Sequence, residues 1–199
     1  MKNKTRLIFV GTISFLLIGL MSFFWLSKFK FHPEIGKRAI SYSVNIRVSV
    51  DSVFQFLGHS SNASKWSSFV DHITPLNPHL VADGEVGSER RCFKEANETG
   101  IVWDERITEV VKNKKRQLLI YHLQGFSVQA EGLATEQIYT PTNEGVRLTF
   151  CLFYQNEHPG WLDVLKTHYA SFTVYSIFEK NLQNIKNILE GKPELTIQS

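Results

Sequence analysis

One stretch near the start of the chain alternates strictly between apolar and polar residues. Over residues 40–50, isoleucine, tyrosine and valine occupy the even positions, and serine, asparagine and arginine occupy the odd positions. A period of two over this length is typical of a strand with one buried face. The pattern therefore predicts a long first strand in a sheet that is covered on one side.

Six further strand-like runs follow, and short turn-forming segments separate them. Asp83-Gly84, residues 97–100 and residues 141–145 carry the glycine, asparagine and proline that are typical of turns. Regular spacing with short connections predicts an antiparallel meander rather than alternating strands and helices. The runs lie near residues 70–76, 86–95, 101–112, 116–124, 128–139 and 145–155.

Helical patterns occur in two places. After the first strand, Ser49 or Asp51 can cap a short helix that ends at Gly58, and a second short helix is expected around residues 61–69. Near the end of the chain an apolar stripe with alternating spacings of three and four predicts a long helix that stops at Gly191. The stripe consists of Tyr175, Phe178, Leu182, Ile185 and Leu189.

Together these elements predict an α+β fold. We expect a curved, seven-stranded antiparallel sheet wrapped around the long C-terminal helix, with two short helices between strands one and two. Such an arrangement encloses an interior space between sheet and helix.

The N-terminal segment has a different character. Leu7 to Leu26 is a run of 20 residues without a charge, which is long enough for a helix to cross a bilayer. Lys28 and Lys30 follow it, and the run is longer than a signal-peptide core. The run predicts a transmembrane helix and hence a single-pass membrane protein, with the following domain on the exported side (periplasmic or extracellular).

Composition and charge narrow the classes of function. The 199 residues carry 22 basic and 19 acidic side chains, but five of the basic ones lie in residues 1–30, where there is no acidic residue. The remainder is slightly acidic, so no nucleic-acid partner is expected. Two cysteines, Cys92 and Cys151, exclude a disulfide-rich fold, and we expect both to be buried free thiols.

Candidate catalytic groups are sparse. None of the seven histidines has the spacing of a metal motif, so no metal and no other cofactor is expected. His122 is predicted on a strand, either towards the interior as an acid or base or on the solvent face. Glu105 and Glu109 share strand parity, and we place them on the outer face, with Arg90 or Lys94 as cross-strand partners.

The order and spacing of these pieces resemble the START-like (SRPBCC) superfamily of the polyketide cyclase/dehydrase and lipid-transport type, which has the helix-grip fold. The resemblance covers about residues 39–191. Before this domain we expect an N-terminal tail and transmembrane helix in residues 1–30, with the span at 7–26, and a linker at 31–38. A C-terminal tail, 192–199, follows it. The resemblance rests on SVDSVFQFL (49–57), NASKWSSFV (62–70), DGEVGSERRCF (83–93), WDERITEVVKNKKRQLLIY (103–121) and FEKNLQNIKNILEG (178–191).

The resemblance implies a cavity for a hydrophobic molecule or lipid between sheet and helix. The sequence adds an aromatic interior and no catalytic motif, so we expect a membrane-anchored, non-catalytic binding domain, monomeric, with the bilayer and an apolar ligand as partners. The alternatives are an enzyme of the cyclase or dehydratase type acting in the same cavity, and an interaction domain with a fully packed interior. The predicted ligand-binding residues are Trp66, Phe69, Trp103, Leu119, Tyr121, Phe150, Tyr175 and Phe178.

Overall fold

The computed structural model describes residues 2–127 and 130–191 of the chain. In this part it contains four α-helices, one short 3₁₀-helix and eight strands. The helices are α1 (Lys2–Leu26), α2 (Val50–Gly58), α3 (Ala63–Trp66) and α4 (Trp161–Leu189), with the 3₁₀-helix Ser60–Asn62 before α3. The strands are β1 (Phe29–His32), β2 (Lys37–Ile46), β3 (His72–Pro75), β4 (Glu89–Phe93), β5 (Val102–Val111), β6 (Lys115–Gln124), β7 (Leu133–Thr142) and β8 (Gly145–Tyr154).

All eight strands belong to one antiparallel sheet in the order β1-β2-β8-β7-β6-β5-β4-β3. Strands β3 to β8 form the predicted meander, and β2 pairs with the last of them, with Ile40 opposite Leu152. The two short helices α2 and α3 connect β2 to β3, as predicted. Ser49 caps α2, since its hydroxyl accepts a hydrogen bond from the backbone N–H of Ser52 at 3.2 Å.

Helix α4 covers one face of the sheet, which is called the inner face below. Leu182 and Ile185 on α4 are fully buried, in one cluster with Ile46, Leu148 and Phe150 from the strands. The predicted apolar stripe is therefore the stripe that meets the sheet. Its burial supplies the main apolar contact between the helix and the strands.

The prediction of seven strands was wrong, because the sheet has eight. Phe29–His32 forms an additional edge strand that pairs with β2, with Phe29 opposite Ile40. Four residues are too few to show an alternating pattern, and the last two of them, Phe31 and His32, lay inside the proposed linker 31–38. Helix α4 is also longer than its apolar stripe: it begins at Trp161, and its first turns expose Trp161 and Tyr169 instead of continuing the stripe.

The prediction of a transmembrane helix at residues 7–26, and with it of a single-pass membrane protein with an exported domain, was wrong. Residues 2–26 are helical, but among the residues that the structure describes no helix is both long and apolar enough to cross a membrane. Hydropathy alone had counted the last turn of α1 as facing lipid. In the structure Phe24 packs edge-on against the ring of His168 on α4, with their centroids 4.8 Å apart.

Candidate functional site

A cavity of about 400 Å³ lies between the inner face of the sheet and α4. Its wall is mainly apolar and aromatic, and it has the size of typical small-molecule sites, roughly 300–1,000 Å³. The strands, the segment after α3 and helix α4 all contribute to it. Its main apolar side chains are Phe69, Trp103, Leu118, Ile120, Phe150 and Phe178.

Strand alternation decides which side chains reach this cavity. On β5, Trp103 and Glu105 line it and Ile107 is buried on the same parity, whereas Asp104 lies on the outer face opposite Arg91. On β6, Leu118 and Ile120 line it. The alternation within each strand therefore predicts which side chains form the wall, once it is known which face of the strand meets α4.

The structure brings five of the eight predicted ligand-binding residues to the cavity: Trp66, Phe69, Trp103, Phe150 and Phe178. They lie in contact with one another in two groups. The rings of Phe69 and Trp103 are 5.6 Å apart, and Phe150 lies edge-on to both Trp66 and Phe178. That these residues bind a ligand stays a prediction.

The other three, Leu119, Tyr121 and Tyr175, do not line the cavity. Leu119 and Tyr121 have the opposite parity to Leu118 and Ile120, so they point to the outer face, where the guanidinium carbon of Arg106 lies 5.8 Å from the centroid of the Tyr121 ring. Tyr175 is turned towards β2 instead: its ring lies edge-on to that of Tyr42 at 5.3 Å. Their placement in the cavity was therefore wrong.

One end of the cavity is polar. A second, smaller pocket of about 50 Å³ adjoins it near the 3₁₀-helix and shares five lining residues with the main cavity. These residues are called the shared wall below: Trp66, Val70, Arg90, Glu105 and Gln137. The cavity thus combines an apolar body with a polar inner end, which is the usual composition of a small-molecule site.

Arg90 and Glu105 form an ion pair within the shared wall. Nε and Nη2 of Arg90 each lie 2.8 Å from Oε2 of Glu105, and the indole Nε1 of Trp103 donates to Oε1 at 3.0 Å. Burial alone lowers the pKa of Arg90, but the carboxylate of Glu105 outweighs this and the net pKa is raised. Both oxygens of Glu105 are therefore occupied, and its charge is balanced.

This pair corrects an expectation from the sequence. Glu105 was placed on the outer face, yet it lies at the cavity together with Arg90. The missed signal was the spacing of Trp103 and Glu105, which stand two residues apart on one strand and share a face. Glu109 has the same parity, but an irregularity in the β5–β6 register between Ile107 and Glu109 turns it away, and it pairs with Lys115.

Behind the shared wall lies a buried arginine that the sequence did not reveal. Arg116 on β6 is 3% exposed, and its Nη1 donates to Oε1 of Gln137 at 3.2 Å and to the hydroxyl of Tyr139 at 3.3 Å. The same oxygen of Gln137 also accepts a hydrogen bond from the Tyr139 hydroxyl at 2.7 Å. Burial lowers the pKa of Arg116, because no carboxylate among the described residues forms an ion pair with it.

His122 lies outside the cavity. Its side chain is 69% exposed, and its Nδ1 lies 2.9 Å from Oδ2 of Asp104, a carboxylate that also accepts two hydrogen bonds from Arg91. His122 has a positive φ of 50° where the β5–β6 register shifts. Of the two placements expected for His122, the structure shows the solvent face.

Neither cysteine is suited to act as a nucleophile. Cys92 and Cys151 are buried and unpaired. Burial raises the pKa of Cys151 to about 12 and that of Cys92 well above its usual value, so neither forms a thiolate readily. Within residues 2–127 and 130–191, no group of three histidine, cysteine or acidic side chains is arranged to hold a metal ion.

The comparisons with known proteins give the fold. No family model matches this sequence, and no curated protein is similar to it in sequence. Solved structures are similar. Protein MLL2253 from Mesorhizobium loti matches with a TM-score of 0.58 and 13% identity, over 79% of this chain and 100% of its own. Protein CV1439 from Chromobacterium violaceum matches with a TM-score of 0.55 and 13% identity, over 78% of this chain and 98% of its own.

A third similar structure is StfQ, a di-domain ARO/CYC from the steffimycin biosynthetic pathway. It matches with a TM-score of 0.57 and 14% identity, over 77% of this chain and 50% of its own. Identities this low establish a shared fold and no shared activity. The antiparallel sheet with a long C-terminal helix agrees with the fold that the START-like resemblance implied, and membership of that superfamily stays a prediction.

Proposed function

We propose that this domain binds an apolar small molecule in the cavity between the sheet and α4, without transforming it. The observation that carries the proposal is the unfilled volume of about 400 Å³ beside a closely packed core. Small-molecule sites are concave, mostly apolar and of this size, so a space of this kind points to an apolar small molecule as its occupant. The aromatic wall supplies the surface against which such an occupant packs.

Two adjacent residues on β6 provide a matched test. Ile120 lines the cavity, whereas Leu119 faces the other side of the sheet. We expect the full chain to bind the neutral fluorescent probe N-phenyl-1-naphthylamine saturably. Ile120→Trp fills the cavity and weakens this binding by about tenfold or more, which corresponds to about 1.4 kcal/mol. Leu119→Trp adds the same side chain outside the cavity and leaves the affinity unchanged.

The pair of variants also separates the cavity from exposed apolar surface on α1, where the probe can adsorb. Adsorption there is indifferent to both substitutions. Equal affinities of Ile120→Trp and Leu119→Trp, or no saturable binding by the unaltered chain, contradict the proposal. Thermal unfolding of both variants shows whether the fold has been kept.

An enzyme acting in the same cavity is the second candidate, because the charged residues Arg90, Glu105 and Glu136 belong to its wall. Glu136 has the opposite strand parity to its lining neighbours on β7, which leaves Arg90 and Glu105 as the groups that face the interior. General acid–base catalysis needs a group free to take or give a proton at the substrate. Both oxygens of Glu105 already accept hydrogen bonds from Arg90 and Trp103. This occupancy favours binding over turnover. The interaction-domain alternative required a fully packed interior, and the cavity argues against it.

A further inference from the structure

The orientation of one amide in the shared wall is fixed by its neighbours. Arg116 carries only N–H donors, so the atom of Gln137 that it contacts must be the amide oxygen. The Tyr139 hydroxyl donates to the same oxygen. The amide nitrogen of Gln137 is therefore turned away from Arg116 and Tyr139.

This nitrogen has no hydrogen-bond partner among the described residues, and the Gln137 side chain lines both the main cavity and the smaller pocket. The indole Nε1 of Trp66, on the same wall, is buried without a hydrogen-bond partner. The acceptors of the wall are in use, because the Glu105 oxygens bind Arg90 and Trp103 and the Gln137 oxygen binds Arg116. The inner end of the cavity thus offers the Gln137 amide nitrogen as a free donor, whereas the acceptor oxygens of Glu105 and Gln137 already accept hydrogen bonds.

The same arrangement gives Arg116 a role. Burying a cation without an anionic partner costs folding free energy. In Arg116 the Nε also has no hydrogen-bond partner. Its guanidinium lies over the Phe54 ring at 4.5 Å, so it is held in place on a second side. Arg116 does not line the cavity, but it holds the amide of Gln137 in one of its two orientations. It is a positioning residue.

We propose that the ligand carries a hydrogen-bond-accepting oxygen at the end that meets the shared wall, and that the amide nitrogen of Gln137 binds this oxygen. The inference rests on the proposed function, since it names the chemistry of the molecule that the cavity takes. A pure hydrocarbon leaves the buried amide donor unpaired, and this loss is what selects against it.

Two compounds of the same shape test the proposal on the full chain. In 2-acetylnaphthalene a ketone oxygen stands where 2-isopropenylnaphthalene has a methylene group. The ketone advantage is the dissociation constant of the alkene divided by that of the ketone. We expect this advantage to be about 5- to 10-fold larger in the unaltered chain than in a variant that lacks the donor. Displacement of N-phenyl-1-naphthylamine measures both affinities. Comparing the ketone advantage between the unaltered chain and the variant cancels the different water solubilities of the two compounds.

Gln137→Glu is the decisive variant. It keeps the shape of the side chain, replaces the donor by an acceptor and gives Arg116 a carboxylate partner, so the fold is expected to persist. We expect the ketone to lose its advantage while the alkene still binds. Arg116→Met frees the amide to turn and should reduce the same advantage in part, a change that a purely structural role for Arg116 does not produce.

Thr135→Val is the matched control. Thr135 lies two residues earlier on β7 and lines the main cavity but not the smaller pocket, so its loss removes a polar group away from the shared wall. We expect the ketone advantage to be unchanged. An equal loss in Thr135→Val, or an unchanged ratio in Gln137→Glu, overturns the assignment.

A second measurement needs no variant. Hydrogen bonding lowers the carbonyl stretching frequency of the ketone, so the infrared band of 2-acetylnaphthalene bound to the unaltered chain should lie below its position in hexane. A band at the hexane position overturns the proposal even if Gln137→Glu does not fold. If neither naphthalene compound binds the unaltered chain, the proposed function itself fails.

Discussion

Leu182 joins the long helix to the sheet and gives the sharpest stability prediction. Its side chain is fully buried among Val53, Phe54 and Leu148, and it does not line the cavity. Leu182→Ala removes three buried carbon atoms and leaves a void that its close-packed neighbours can fill only in part. Leucine-to-alanine changes at such sites cost about 2.7–5.0 kcal/mol, and we expect about 3–4 kcal/mol here.

Urea unfolding followed by tryptophan fluorescence measures this loss directly. The slope of the free energy of unfolding against urea should stay constant while the midpoint falls. In a chain of this size about 1 kcal/mol corresponds to 2–4 °C, so the melting temperature should fall by roughly 6–16 °C.

The control must come from the exposed side of the same helix. Gln183 is exposed, and its amide contacts only Asn187 on the same helix, at 3.0 Å, so Gln183→Ala should change stability by less than about 0.5 kcal/mol. Lys186, whose spacing on α4 suggests the same use, is unsuitable because its ammonium donates to the backbone oxygen of Asn45 at 2.8 Å. A cost below about 1 kcal/mol for Leu182→Ala, or equal effects of the two variants, refutes the packing of α4 on the sheet.

Two pH-dependent effects follow from buried groups. Burial raises the pKa of Asp104, but hydrogen bonds from Arg91 and His122 outweigh this effect, so the net pKa is lowered. The ionised carboxylate therefore stabilises the fold above about pH 4, and this stabilisation is lost as the pH falls through the lowered pKa. In Asp104→Asn the urea midpoint should fall less steeply over this acidic range. Burial, and next the nearby charge of Arg38, lower the pKa of His168, so the folded state prefers the neutral ring and stability should fall as the pH drops below about 6.5. His168→Gln should lose less stability than the unaltered chain between pH 7.5 and 5.5, and equal losses contradict this assignment.

The sequence predicted those parts of the fold that depend on local periodicity. The alternation over residues 40–50 predicted β2, although the strand ends at Ile46 and Val50 already begins α2. The stripe through Leu182 and Ile185 predicted the face of α4 that meets the sheet. Five of the eight proposed cavity residues line the cavity, because aromatic residues on strands and helices with one apolar face have few other places to be buried. Leu119 and Tyr121 were misplaced by a choice of parity that local pattern cannot make when both faces of a strand carry apolar residues.

The chain's own pattern thus determined the antiparallel meander, the two short helices after β2 and the apolar stripe of the last helix, since each is encoded by neighbours within one turn or one pleat. Only the tertiary structure decided where separate segments meet. It set Phe24 of α1 against His168 of α4, it brought Arg90 to Glu105 at the cavity, and it placed Arg116 behind Gln137. These contacts join residues that are far apart in sequence, and register shifts such as that between Ile107 and Glu109 change which side chains face inward. The polar end of the cavity therefore exists only once the strands are paired.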